Sequence, residues 1–144
     1  MKKLISFFVI IFAIVVSSNV IFGQITEQSA KSVANKFFNA CKKSDYGSAS
    51  VMLAYHGSDE SRLYKDTYNY SISEDASDVK RFCNRVKATL EISDSYEFGK
   101  FRTKKSHGNE YKSLDVVFKS GSQKIKNKLI FIYIKNSPII YKLD

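Results

Sequence analysis

A change of period at residue 95 limits this chain more than any other feature. Before it, Ala30, Val33, Ala34, Phe37, Phe38 and Cys41 recur at steps of three and four, the spacing of one helical face. After it, apolar residues alternate, as they do in a strand with one buried side. Tyr96 and Phe98 open a first strand, which Gly99 is expected to bulge before Phe101 and Arg102. His107, Gly108 and Asn109 form a turn into a second strand over residues 111–118, with Leu114, Val116 and Phe118 on one face. Ser120, Gly121 and Ser122 reverse the chain into residues 124–135, and Asn136, Ser137 and Pro138 reverse it again into residues 139–143. Short turns between four strands describe an antiparallel meander. The predicted fold class is therefore α+β, with N-terminal helices packed on one face of a curved four-stranded antiparallel sheet.

The helices are read in the same way. After residues 30–41, Ser44 and Asp45 break the pattern and can cap a shorter helix carrying Tyr46, Ala49, Met52 and Leu53. A third helix is predicted over residues 79–92, capped by Ser77 or Asp78, with Val79, Phe82, Val86 and Leu90 marking its apolar face. Residues 54–78 between them have no long stripe. They are rich in tyrosine (Tyr55, Tyr64, Tyr68, Tyr70) and in charge. A connection of that length without regular structure is uncommon in a small domain and is often functional or mobile.

The N-terminus reads as a targeting segment. Two lysines precede residues 4–16, which are apolar except for Ser6, and Ser17, Ser18 and Asn19 follow, the layout of a secretory signal. Gly23 supplies a small residue for cleavage, so the expected organisation is a signal peptide over residues 1–23 and one domain over residues 24–144. The competing reading is an uncleaved anchor, because residues 4–22 nearly reach across a bilayer of about 30 Å. The localisation that follows is export, periplasmic or secreted, with no membrane association after cleavage. Losing Lys2 and Lys3 lowers the formal charge from +9 to +7. A basic exported domain can meet anionic glycans, lipid headgroups or nucleic acid. The lysines are mostly scattered among acids, and no glycine-rich phosphate loop is present, so nucleic acid is not an expected partner. The exception to that scatter is Lys124, Lys126 and Lys128, which share one face of a strand and suit either a polyanion or, as favoured here, the protection of a sheet edge.

Two further features concern the interior and the outer face. Cys41 and Cys83 both lie on buried stripes, so they form either a disulfide or two buried thiols that never meet. The third strand is apolar on both faces in its second half: Leu129, Phe131 and Tyr133 on one side, Ile130, Ile132 and Ile134 on the other. The isoleucine row requires a cover, supplied by a second copy, by an envelope protein, or by the chain's own loop.

The segment VANKFFNACKKSDYGSASVML, with its bulky pair, its K-x-D-Y step and its alanine-containing second helix, resembles the opening of small secreted domains of the NTF2-like (cystatin-like α+β) superfamily. The resemblance implies a conical pocket between the helices and the concave sheet face, and an outer sheet face that often pairs in dimers. It also implies a strand between the second and third helices, which residues 64–72 could supply. Enzymes of the superfamily place an acid, a histidine or a tyrosine inside the cone. Here Asp115 falls on the outer parity, and His56 and His107 lack a second ligand at metal spacing. Cys41 has no activating base on its helix. No catalytic residue, metal or cofactor is therefore assigned. The expected function is non-enzymatic binding of a small apolar ligand or an envelope partner. Tyr55, Tyr64, Tyr68 and Tyr70 would form the mouth, Phe37 and Phe38 the cone wall, and Ile130, Ile132 and Ile134 a partner interface. The alternatives are an isomerase- or dehydratase-type pocket enzyme and a purely structural module.

Overall fold

The computed structural model describes residues 23–144. The expected signal segment thus lies, but for its last residue, outside the described residues. Helix α1 (Glu27–Lys42) begins a turn before the apolar stripe because Thr26 caps it. The Thr26 hydroxyl accepts from Ser29 N at 3.1 Å, and Ser29 Oγ accepts from Thr26 N at 3.0 Å, a reciprocal box that satisfies two helix-end donors. Helix α2 (Tyr46–Ser50) starts at Asp45, whose carboxylate accepts from Ser48 N at 3.1 Å. It stops short of Leu53, because residues 52–54 are drawn into the sheet instead.

Helix α3 (Ser73–Glu91) begins a turn earlier than Ser77 or Asp78. Its N-cap, Ile72, makes no side-chain capping bond, and Glu74 and Asp75 place negative charge on the first turn, where the helix dipole favours it. Ala30, Ala34, Phe37, Phe38 and Cys41 of α1 and Val79, Cys83 and Val86 of α3 are buried in one core with Leu114, Val116, Phe118, Leu129, Phe131 and Ile140 of the sheet.

The sheet is β1 (Ser95–Ser106), β2 (Asn109–Ser120), β3 (Gln123–Ile134) and β4 (Ser137–Leu143), antiparallel throughout and in sequential order. The register of β1 slips between Phe98 and Phe101, so the expected bulge forms at Gly99. The hairpin turns follow backbone chemistry. His107 and Gly108 both have positive φ (50° and 78°), as do Lys135 and Asn136 (46° and 63°), matching the right-handed strand twist that two-residue loops must serve. The last turn therefore falls at Lys135 and Asn136, and Ser137 and Pro138 belong to β4.

Two findings follow from the strand pairing, the first a correction. Residues 64–72 do not form a strand: Thr67 alone bridges Ala54. Instead, residues 52–54 lie along the outer edge of β4, with Ala54 N donating to Ile140 O at 2.8 Å and Ile140 N donating to Met52 O at 2.9 Å. In addition, β3 lies between β2 and β4, but its pairing with β4 ends at Leu129 opposite Leu143, with Lys128 bonded to Asp144, so Lys124 and Lys126 lie where β3 has a strand on one side only.

Candidate functional site

The space between helices and sheet is occupied by aromatic side chains. Phe37 and Phe38 are 0% and 1% exposed. Phe37 meets Phe82 edge-on at 5.7 Å, and Phe38 packs between Tyr96 at 5.2 Å and Phe118 at 5.8 Å. Such edge-to-face contacts suit the ring quadrupoles and fix the rings as core.

The crossover between α2 and α3 is built on one ion pair. Asp75 on the first turn of α3 is buried, and Arg62 reaches it with two nitrogens, at 2.7 and 3.3 Å. Asn69 N donates to the same carboxylate at 2.7 Å, and Arg62 Nη2 also donates to Thr67 O at 3.1 Å. Burial by itself would raise the pKa of Asp75, but the bonds from Arg62 and Asn69 outweigh it and hold the carboxyl below its usual range. The Arg62 guanidinium lies 3.8 Å from the centroid of the Tyr55 ring, and Tyr55 Oη accepts from Asp59 N at 3.1 Å. Tyr55 is 4% exposed, so it is a pillar of the crossover.

Between α2 and residues 66–72 the crossover leaves an open groove of about 600 Å³, lined among others by Val51, Arg62, Tyr68, Tyr70, Ile72 and Lys135. Val51 and Ile72 are 58% and 43% exposed and line the same groove, so they give it accessible apolar area. Tyr68 is half-buried, and burial followed by the charge of Asp78 pushes its phenol up, leaving it a neutral donor and acceptor. Tyr70 packs against Tyr46 at 6.0 Å, with the Lys80 ammonium 5.7 Å from its ring. Lys135 pairs with Asp66 at the rim. The groove offers apolar area and hydrogen-bonding phenols. Its buried carboxylate is fully engaged, so the arrangement suits binding better than proton transfer.

The remaining site candidates are dispersed. Tyr64 lies on the outer side of the sheet, stacked on Tyr141 at 5.5 Å and accepting its hydroxyl at 3.1 Å. That bond, together with burial, pushes the Tyr141 phenol up to about 12. The same cluster joins Ile132, Ile134, Ile139 and Ala54 to Tyr111 and Tyr141. Ile132 and Ile134 are therefore 7% and 4% exposed beneath this chain's own residues, and Ile130 is half-buried. His56 Nε2 donates to Tyr141 O at 2.6 Å, and His107 Nδ1 lies 2.9 Å from Ser106 Oγ. Asp115 sits on the outer face, held by Arg102 Nη1 at 2.9 Å. Cys41 and Cys83 are free thiols, both buried in the same core. Among the described residues no group of three histidine, cysteine, aspartate or glutamate side chains is placed to hold a metal ion.

Of the sequence candidates, the structure brings together Tyr68 and Tyr70 at the groove, places Phe37, Phe38 and Tyr55 in the packed interior, and sends Tyr64 to the other face of the sheet. Sequence reasoning missed Arg62, Ile72, Val51 and Lys135 as groove residues. An arginine thirteen positions before an aspartate carries no periodic signal, and only the fold joins the turn at Lys135 to the crossover. No family model, curated protein or solved structure matches this chain.

Proposed function

We propose that this chain is an exported, non-enzymatic domain of NTF2-like layout that binds a small ligand or an envelope protein through its crossover groove. One observation carries the reading: the place where a conical pocket would open is filled by Phe37 and Phe38, while an open groove with exposed Val51 and Ile72 lies beside Tyr68 and Tyr70. The layout of helices on one face of a four-stranded antiparallel sheet supports the NTF2-like part of the proposal. Among the described residues no helix is long and apolar enough to cross a membrane. Export rests on the residue pattern of the first 23 positions. An envelope partner at the groove is preferred to one at the isoleucine row, because Ile132 and Ile134 are already covered by this chain.

The test is native mass spectrometry of protein isolated from its own cell envelope, beside the variant Val51→Asp, Ile72→Asp. The expected result is a chain shortened by the signal segment that carries a ligand or partner, which the double variant has lost. A full-length chain overturns cleavage of the segment and favours the uncleaved anchor. An unliganded, unpartnered chain, or retention by the variant, overturns the groove.

A further inference from the structure

Two of the β3 lysines, Lys126 and Lys128, belong to a second recess, on the sheet face turned away from the helices. Register places Lys128 opposite Asp115, Lys126 opposite Val117 and Lys124 opposite Lys119. The β1 bulge adds Lys100 and Arg102 at the side of this surface, and these two line a cleft of about 540 Å³ with Asp115, Val117, Lys126, Lys128 and Asp144. Glycine at position 99 suits the close approach of the strands at the bulge, since a Cβ there would lie 3.1 Å from the Asp115 Cβ.

Four cations, Lys100, Arg102, Lys126 and Lys128, line this cleft against two acids, Asp115 and Asp144, and Asp144 pairs with Lys142 outside it. Asp115 engages Arg102 through Nη1 alone. Among the described residues, Lys100, Lys126 and Lys128 form no ion pair, yet Lys128 and Lys100 both act on Asp115, which Arg102 chiefly holds below the usual carboxylate range. Lys119 has its own acid, Glu97 at 2.7 Å, but still faces Lys124 across the strands, a like-charge pairing that works against the sheet. Alternate residues on a strand stand about 7 Å apart. Lys124, Lys126 and Lys128 therefore present a regular cationic row beside an arginine whose second nitrogen is free to fork onto an oxyanion.

We infer that this cleft binds an anionic polysaccharide, with Lys100, Arg102, Lys126 and Lys128 contacting its sulfate or carboxylate groups. The cleft has no aromatic lining on which bases could stack, which disfavours single-stranded nucleic acid. It is recessed, and its apolar lining residues Val116 and Val117 are buried and half-buried, which disfavours insertion into a flat bilayer. The inference goes beyond the proposed function, since the crossover groove shares no residue with the cleft.

The experiment measures binding of the full chain to heparin across a salt series, with single-stranded DNA and phosphatidylglycerol vesicles as parallel probes. The cleft variant is Lys100→Gln, Lys126→Gln, Lys128→Gln. The control removes equal charge at exposed positions elsewhere: Lys36→Gln, Lys43→Gln, Lys65→Gln. The cleft variant should bind heparin roughly 10–100-fold more weakly with a shallower salt slope, while the control stays near wild type. Equal losses in both variants would mean bulk charge alone and overturn the site. Absent heparin binding, or tighter binding of DNA or vesicles than of heparin, overturns the polysaccharide. The groove variant Val51→Asp, Ile72→Asp should bind heparin as wild type does, so the two proposals fail separately.

Discussion

An alanine at position 57 would place its Cβ 2.2 Å from the Tyr55 hydroxyl and 2.4 Å from Cζ. The ring cannot swing aside, because Arg62 lies over one face and Tyr68 packs at 5.4 Å. Gly57→Ala should therefore cost about 1–3 kcal/mol, read as a lowered urea midpoint with an unchanged slope. Asp75 gives a second test at this scale. Its folded pKa is depressed by Arg62 and Asn69 against the effect of burial. Its contribution is therefore fully present above the unfolded value of about 3.9 and is lost as pH falls through the folded one. Asp75→Asn should destabilise the chain by about 3 kcal/mol at neutral pH, because it leaves the Arg62 charge without its partner. In denaturation followed from pH 7 to pH 2, the variant should lose stability less steeply below about pH 4 than wild type. Parallel curves would show that Asp75 is not the group being titrated.

Among the elements, α1 and α3 are held by facing stripes that bring Cys41 against Cys83, both fully buried. Interaction with Cys83, then burial, raises the Cys41 thiol, so the reduced pair is inert and should resist alkylation until the chain unfolds. In an oxidising compartment the pair should become a disulfide, passing two electrons to a disulfide-donating oxidase. The long loop it closes would add about 3–4 kcal/mol. Thiol titration of envelope-isolated protein, unfolded without reductant, checks this, and two free thiols would reject it. The hairpins show what element-scale reading can reach. Gly108 and Gly121 marked two turns correctly, because positive φ costs glycine nothing. The turn at Lys135 and Asn136 was placed one residue late, because Pro138 read as a turn residue when it is a strand residue opposite Tyr133.

For the whole molecule, the decisive feature is how the crossover wraps the far edge of the sheet. Residues 52–54 bond to the β4 edge, and Tyr64 stacks on Tyr141, in the cluster that covers Ile132 and Ile134. That covers part of the β4 edge and most of the apolar row that would drive self-association. The isolated chain should sediment as a monomer at tens of micromolar, and a stable dimer would show that the remaining exposed apolar residues pair. The sequence by itself determined the α+β class, the helical stripes, the strand parities and the bulge at Gly99, since each depends on residue spacing within one element. Only the tertiary structure decided that Phe37 and Phe38 fill the interior, that Arg62 locks onto Asp75, and that the lysine row runs past the end of β4. Those outcomes depend on which elements become neighbours. Strand order and loop path are set by the summed burial of the whole chain, and no local period encodes them.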